Sequence, residues 1–317
     1  MLLDAPVPRT SGYGVIRKNV GSMENKGLEL TLNTVNVENA NFSWNSSFNI
    51  SFNRNKVLSL ATPSDIFGVG GPSITNQTSI LRVGEPVGAF WGLTRLGTWS
   101  ESEREEAAKF TSYRGSFTML PGDIKYKDIN GDGAITDADR SIIGNGSPKG
   151  WGSFSNSVRY GNFDLTFDLQ FTYGNDLMDM NLHASEDRVS LANSYSTVLN
   201  AWTPTNQNTP IAQLRDTKAG YVTNVDTHWI FDGSFIRGRN LLLGYTFPSE
   251  VVNKIKMSKL RLYVSAQNLF LISKYPHGDP EQTPIRGGDG DNVFSQGMIW
   301  HSYPKPTTYM AGLQIAF

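Results

Sequence analysis

Cysteine is absent and charge is scarce. Without cysteine neither a disulfide framework nor a cysteine zinc site can form, which fits a reducing compartment or an export route that avoids thiols. Charged residues make up 18% of the chain and the formal net charge is −1. The Lys/Arg surplus that phosphate backbones demand is therefore missing, and nucleic acid is excluded as a partner. No run approaches ~18 consecutive apolar residues, so no transmembrane helix is present. Membrane strands stay open, because they alternate polar and apolar residues and never look hydrophobic on average. The start, MLLDAPVPRT, lacks the basic segment and long apolar core of a signal peptide. Catalytic signatures are missing too: there is no GxSxG, P-loop, GxGxxG or HExxH. His183, His228, His277 and His301 are scattered without zinc spacing. The Asp and Glu pairs share no apolar setting that would split their pKa values. The chain is expected not to be an enzyme.

What is present is alternation. In NFSWNSSFNISFNRN, Phe42, Trp44, Phe48, Ile50 and Phe52 share one face, opposite Ser43, Asn45, Ser47, Asn49, Ser51 and Asn53. In NFDLTFDLQFTY, Phe163, Leu165, Phe167, Leu169, Phe171 and Tyr173 oppose Asp164, Thr166, Asp168, Gln170 and Thr172. KGLELTLNT, GRNLLLGYTF, LRLYVSAQN and TYMAGLQIAF repeat the pattern. Such runs, about nine to twelve residues long, match a tilted strand crossing a bilayer. Hairpins are expected over 26–57, turning near NVENAN, and over 151–174, turning at RYGN. Long Gly/Pro/Ser/Asp-rich connections separate them, with short helices at 101–110, near LMDMNLHASEDRV and at 248–257. Short turns alternating with long loops is the plan of a transmembrane barrel. A soluble β-sandwich would show the same period. The Asn/Ser/Thr/Gln/Asp character of the polar faces and the aromatics near strand ends favour the barrel. The fold class is thus all-β: an antiparallel transmembrane β-barrel, present as a partial barrel of about nine or ten strands with long loops and a few short helices.

The stretch GDIKYKDINGDGAITDADRSIIGNGSPK, followed by a hairpin ending in YGNFDLTFDLQFTYGND, resembles the C-terminal part of SusC/RagA-family TonB-dependent transporters. MENKGLELTLN, FSWNSSFNISFNRNKVLSL, VGEPVGAFWGL, AWTPTNQNT, DGSFIRGRNLLLGYTFP and LRLYVSAQNLFLISKYPHGDPE follow the family's order. The resemblance implies a barrel of about 22 strands with a plugged lumen. It also implies an outer-membrane location, TonB-energised uptake of an oligosaccharide or peptide, and a SusD-like surface lipoprotein as partner. It makes residues 1–317 a C-terminal part of that barrel, without plug, TonB box or signal peptide: a fragment or one piece of a split gene. TonB would act through the missing N-terminal part, and membrane lipid would surround the wall. Gly312, Ile315 and Phe317 match the last-strand signal that barrel assembly reads, with Met310 where a polar residue is more usual.

Within the acidic segment 121–148, DINGDGAITDAD has the spacing of an EF-hand loop. Asp128, Asn130 and Asp132 would give side-chain oxygens to Ca2+, Ala134 its carbonyl, Thr136 its hydroxyl, and Asp139 would close the shell. Aspartate at the last position reaches less far than the usual glutamate. No helix pair flanks the loop, so a calcium sensor is excluded; Ile135 is expected to anchor it inward. The other reading is a pair of Asn-Gly and Asp-Gly turns whose side chains satisfy their own backbone. Dockerin repeats resemble this stretch but are duplicated, and one copy exists here. A secreted β-rich carbohydrate-binding or dockerin-like module with a calcium loop is therefore the alternative function. Asp164 and Asp168 on the polar face would line a substrate path or only solvate the wall. Trp91, Trp202, Trp229 and Trp300 would stack on sugars or pack within the loops.

Overall fold

The computed structural model describes residues 2–6, 10, 12, 15–19, 21–60, 63–69, 77–111, 118–186, 193–214, 224–281, 295–300 and 303–317. Seven long strands make one sheet: β1 (Ser22–Glu38), β2 (Phe42–Ser59), β3 (Gly150–Tyr160), β4 (Phe163–Tyr173), β5 (Phe235–Thr246), β6 (Lys259–Ser273) and β7 (Thr308–Ala316). Their order in the sheet is their order in the chain, and every pair is antiparallel. This is the up-and-down meander of a barrel wall. A separate hairpin, Leu2–Pro6 with Val15–Asn19, adds two more antiparallel strands. Seven strands form an open arc, consistent with a partial barrel.

Register keeps the two faces apart. Leu32 lies opposite Phe48, Phe48 opposite Phe154, and Phe154 opposite Leu169, giving an apolar row across four strands. On the other face Asn49 Nδ2 donates to Ser153 Oγ at 2.5 Å, and Asn240 Nδ2 to Asp168 at 3.2 Å. Arg261 donates to both oxygens of Asp164, at 3.0 and 2.5 Å. Glycines admit aromatic rings from the neighbouring strand. A β-carbon on Gly312 would fall inside the Tyr263 ring, and one on Gly152 would sit 2.6 Å from Phe171. Ring-over-glycine packing of this kind pins register. Arg239 bulges β5 against β4, and Asn268–Leu269 bulge β6 against β5; both add the local twist that curls a sheet.

The connections sort by length. Residues 39–41, 161–162 and 247–258 join strands at one end, the last through a short helix, Ser249–Val252, entered from Pro248. The long connections 60–149, 174–234 and 274–307 all lie at the other end. There they build a second body, the head, whose short strands sequence alternation does not reveal. Ile66–Val69, Gln77–Leu81, Ala89–Gly92 and Ser141–Asn145 form a four-stranded sheet. Asp176–Asp179, Ile230–Asp232 and Met298–Ile299 form a three-stranded one. The largest buried cluster is also here: Phe90, Met178, Met180, Leu182, Val225, Trp229 and Met298.

Candidate functional site

The head is interlocked across its connections. Asp226, from the second, takes Arg95 Nε at 2.8 Å and Nη2 at 2.6 Å, from the first. Tyr126 Oη (3.1 Å) and the His228 amide (2.8 Å) also donate to it. Arg95 Nη1 donates to the Pro210 carbonyl at 3.0 Å. The Arg95 and Asp226 side chains are 2% and 0% exposed, so their charges are tolerable only because each is so fully bonded. Arg237 at the head end of β5 holds Asp279 of the third connection at 2.5 Å. Burial pushes the Asp279 carboxyl up, but the Lys305 and Glu281 amides and Arg237 more than offset this and leave it below its ordinary value. Tyr275 Oη donates to buried Asp179 at 2.8 Å, tying the third connection to the second. Burial and the Asp179 charge raise the Tyr275 pKa. His228 contacts buried Glu186.

The acidic loop sits on this body. Asp128 accepts from the Gly131 amide at 2.7 Å and the Gly133 amide at 2.9 Å. Asn130 Oδ1 accepts from Asp132 N (3.0 Å), and Asp132 Oδ1 from Ala134 N (2.8 Å). Thr136 caps a turn over Asp137–Asp139. Asp139, fully buried, accepts from Ile129 N (2.9 Å) and Thr136 N (2.8 Å). Gly131 and Gly133, at φ 75° and 77°, supply the left-handed turns. The Gly133 amide, with help from Gly131, holds the Asp128 carboxyl below its usual range against a smaller opposing effect of burial. Ile135 is 2% exposed and packs with Leu93, Ile124, Tyr126 and Ala212, as expected. The flanks are strands, Ile124–Tyr126 and Ser141–Asn145. All six candidate ligands thus share one loop, but the bonds drawn from Asp128, Asn130, Asp132 and Asp139 go to its own amides. Among the described residues no group of three or more His, Cys, Asp or Glu is placed to hold a metal ion.

The other candidates disperse. Trp91, Trp202 and Trp229 are 7%, 3% and 0% exposed and Trp300 packs against the main cluster, so packing claims them. Asp164 is taken by Arg261 and Asp168 by Asn240. His277 stacks on Tyr195 at 5.3 Å and His228 contacts Glu186; the His183 side chain and His301 lie outside the described residues. Two cavities open on the head: one of about 370 Å3 beside Arg95, Thr98, Thr209 and His228, and one of about 960 Å3 where wall and head meet, lined by Arg54, Asn55, Lys149, Tyr173 and Asp176. The sequence reading missed both the Arg95–Asp226 and Arg237–Asp279 pairs. Separations above a hundred and of forty-odd residues leave no local signal of them.

No protein-family model matches the chain. Curated relatives do. TonB-dependent receptor P3 of Formosa agariphila is 34% identical over 100% of this chain and 31% of the receptor. TonB-dependent receptor SusC of Bacteroides thetaiotaomicron is 26% identical over 95% of the chain and 27% of SusC. Among solved structures, the RagAB peptide transporter superposes with a TM-score of 0.76 at 24% identity, covering 100% of this chain and 32% of that one; this likeness speaks to fold alone. The chain spans about a third of the length of the relatives it matches. From end to end, this chain carries the sequence and the fold of SusC/RagA-type TonB-dependent receptors.

Proposed function

We propose that the chain is one arc of an outer-membrane barrel that imports a nutrient, an oligosaccharide or a peptide, under TonB drive. One observation carries this reading: a two-faced wall, apolar outside and polar inside, bears an interlocked head across one end only. Leu28, Leu30 and Leu32 are 65%, 54% and 54% exposed, Val264 54%, Leu313 54% and Tyr309 72%. A secreted binding module would bury such a face, whereas a bilayer covers it. The head stands on the side of the long loops, the outer side in such barrels, where a SusD-like lipoprotein would dock. The chain performs no catalysis in this reading. The acidic loop stiffens the head, and a calcium ion on Asp128, Asn130, Asp132, Ala134, Thr136 and Asp139 belongs to the proposal, supported by the donor spacing and the two left-handed glycines. Tagging the C-terminus in the source organism tests the whole. The reading expects a detergent-released outer-membrane protein that co-purifies with a surface lipoprotein, and loss of growth on one nutrient class when the gene is deleted. A soluble product with no growth defect would contradict it.

A further inference from the structure

We propose that the outward rim of the wall at its loop end seats the phosphorylated headgroup of a membrane lipid; this rests on the reading that the wall crosses a bilayer. On β2 the outward positions run Phe42, Trp44, Ser46, Phe48, Ile50 and Phe52, with the Ser46 hydroxyl satisfied by Asn156 Oδ1 at 2.8 Å, and then turn basic at Arg54 and Lys56. On β4 they run from Phe163 to Tyr173. Each apolar run covers about 33 Å along the strand at ~3.3 Å per residue. At a strand tilt of ~40° that is about 25 Å along the membrane normal, the height of an outer-membrane barrel's apolar band. Rings close the band at both ends. Phe42 and Tyr160 meet at 6.4 Å at the turn end, and Phe52 and Tyr173 at 6.2 Å at the loop end. The next outward positions stand at headgroup depth.

Those positions carry surplus positive charge. Lys26, opposite Arg54 on β1, pairs with Glu24 at 2.9 Å. Arg54 and Lys56 have no carboxylate partner among the described residues. Arg54 Nη1 donates to the carbonyls of Asn53 (2.9 Å) and Lys149 (2.8 Å), which fixes the guanidinium over the β2–β3 seam and leaves its other N–H groups for a ligand. Lys149, also without a carboxylate partner among the described residues, lays its methylenes across Gly174. Arg54, Lys149 and Tyr173 border the cavity of about 960 Å3. The acids on that cavity are engaged: Asp176 accepts from Asn145 N at 2.8 Å, and Asp232 from Ser234 N at 2.9 Å with Lys274 at 3.5 Å. Free cations directly above an apolar wall match a ligand with acyl chains below and a phosphate above. Inorganic phosphate would meet the same cations but gain nothing from Phe52 and Tyr173.

The test uses the full-length receptor carrying this chain, in nanodiscs of phosphatidylcholine with phosphatidylglycerol. Phosphatidylglycerol retained after extraction is counted by native mass spectrometry. Retention is expected to fall about fivefold per charge removed in R54Q and K149Q, and to hold in the double variant E24Q/K26Q, which removes an already paired cation together with its carboxylate and leaves the net charge of the rim unchanged. High salt should strip the lipid from the unaltered receptor, which keeps the test valid if a variant misassembles. Equal retention in all variants and at all salt concentrations would overturn the proposal. Displacement by millimolar inorganic phosphate would reassign the seat to a free anion and overturn the lipid. A receptor that never enters the nanodiscs would overturn the membrane reading as well, whereas one that enters and holds lipid indifferently overturns this inference alone.

Discussion

Leu28, Leu30 and Leu32 on the wall stand more than half exposed, while Phe90, Met178 and Trp229 in the head are sealed from solvent. The wall is held by its ladder of backbone bonds and leaves its apolar face for a different solvent. The head is a water-type fold with a core, and charged residues are drawn into it as bonded pairs. One chain therefore contains two answers to where apolar surface goes, and the two regions should fail in different ways.

The largest expected effect lies in the head. Asp226→Ala leaves the Arg95 guanidinium buried and uncompensated, a loss of about 3–5 kcal/mol. Limited proteolysis should then cut the head while the wall keeps its heat-modifiable migration; simultaneous failure of both would dissolve the distinction. Next comes the wall's own asymmetry. Phe167→Arg, on the outward face, is expected to cost about 2–4 kcal/mol near the bilayer midplane, whereas Thr166→Arg, one residue away on the polar face, costs little. Assembly yield in detergent or vesicles measures both.

Gly312→Val drives a side chain into the Tyr263 ring and should cost about 1–3 kcal/mol by overpacking, slowing closure of the last strand without loosening the head. The smallest effect is in the acidic loop. Asp128→Ala removes two amide bonds, roughly 1 kcal/mol each. Asp128 and Asp279 both have folded pKa values held below the ordinary one, so they add stability above the unfolded range and lose it as pH falls from about 4 downward. A head melting curve that flattens above that pH, and drops less in D128A, would agree. Calorimetric titration with Ca2+ separates the two uses of the loop: saturable heat means a metal site, no heat means a self-satisfied turn.

Much of the wall is legible in the sequence because period two survives wherever one face meets lipid and the other water. The hairpin turns at 39–41 and 161–162, the helix after Pro248 and the inward Ile135 follow from local signals that no tertiary contact overrides. The head is different. Its strands, such as Gln77–Leu81 and Ala89–Gly92, are buried on both faces, so alternation disappears and Gly, Pro and Asp punctuation reads as loop. Its charged pairs join residues far apart in the chain. The acidic loop shows the limit of a motif: the spacing of Asp128, Asn130, Asp132 and Asp139 is that of a calcium site and equally that of nested amide turns, and both readings use the same oxygens.

The most direct test of the central claim is a spin-label scan along β4. The chain has no cysteine of its own, so, with any cysteine elsewhere in the receptor that carries it replaced by serine, single cysteines at positions 163–173 can be labelled in vesicles and compared for collision with oxygen and with a water-soluble nickel chelate. A wall with one face in lipid and one in water gives strict alternation, with oxygen favoured at Leu165, Phe167 and Leu169 and not at Thr166, Asp168 and Gln170. Uniform access to the nickel chelate on both faces would contradict it.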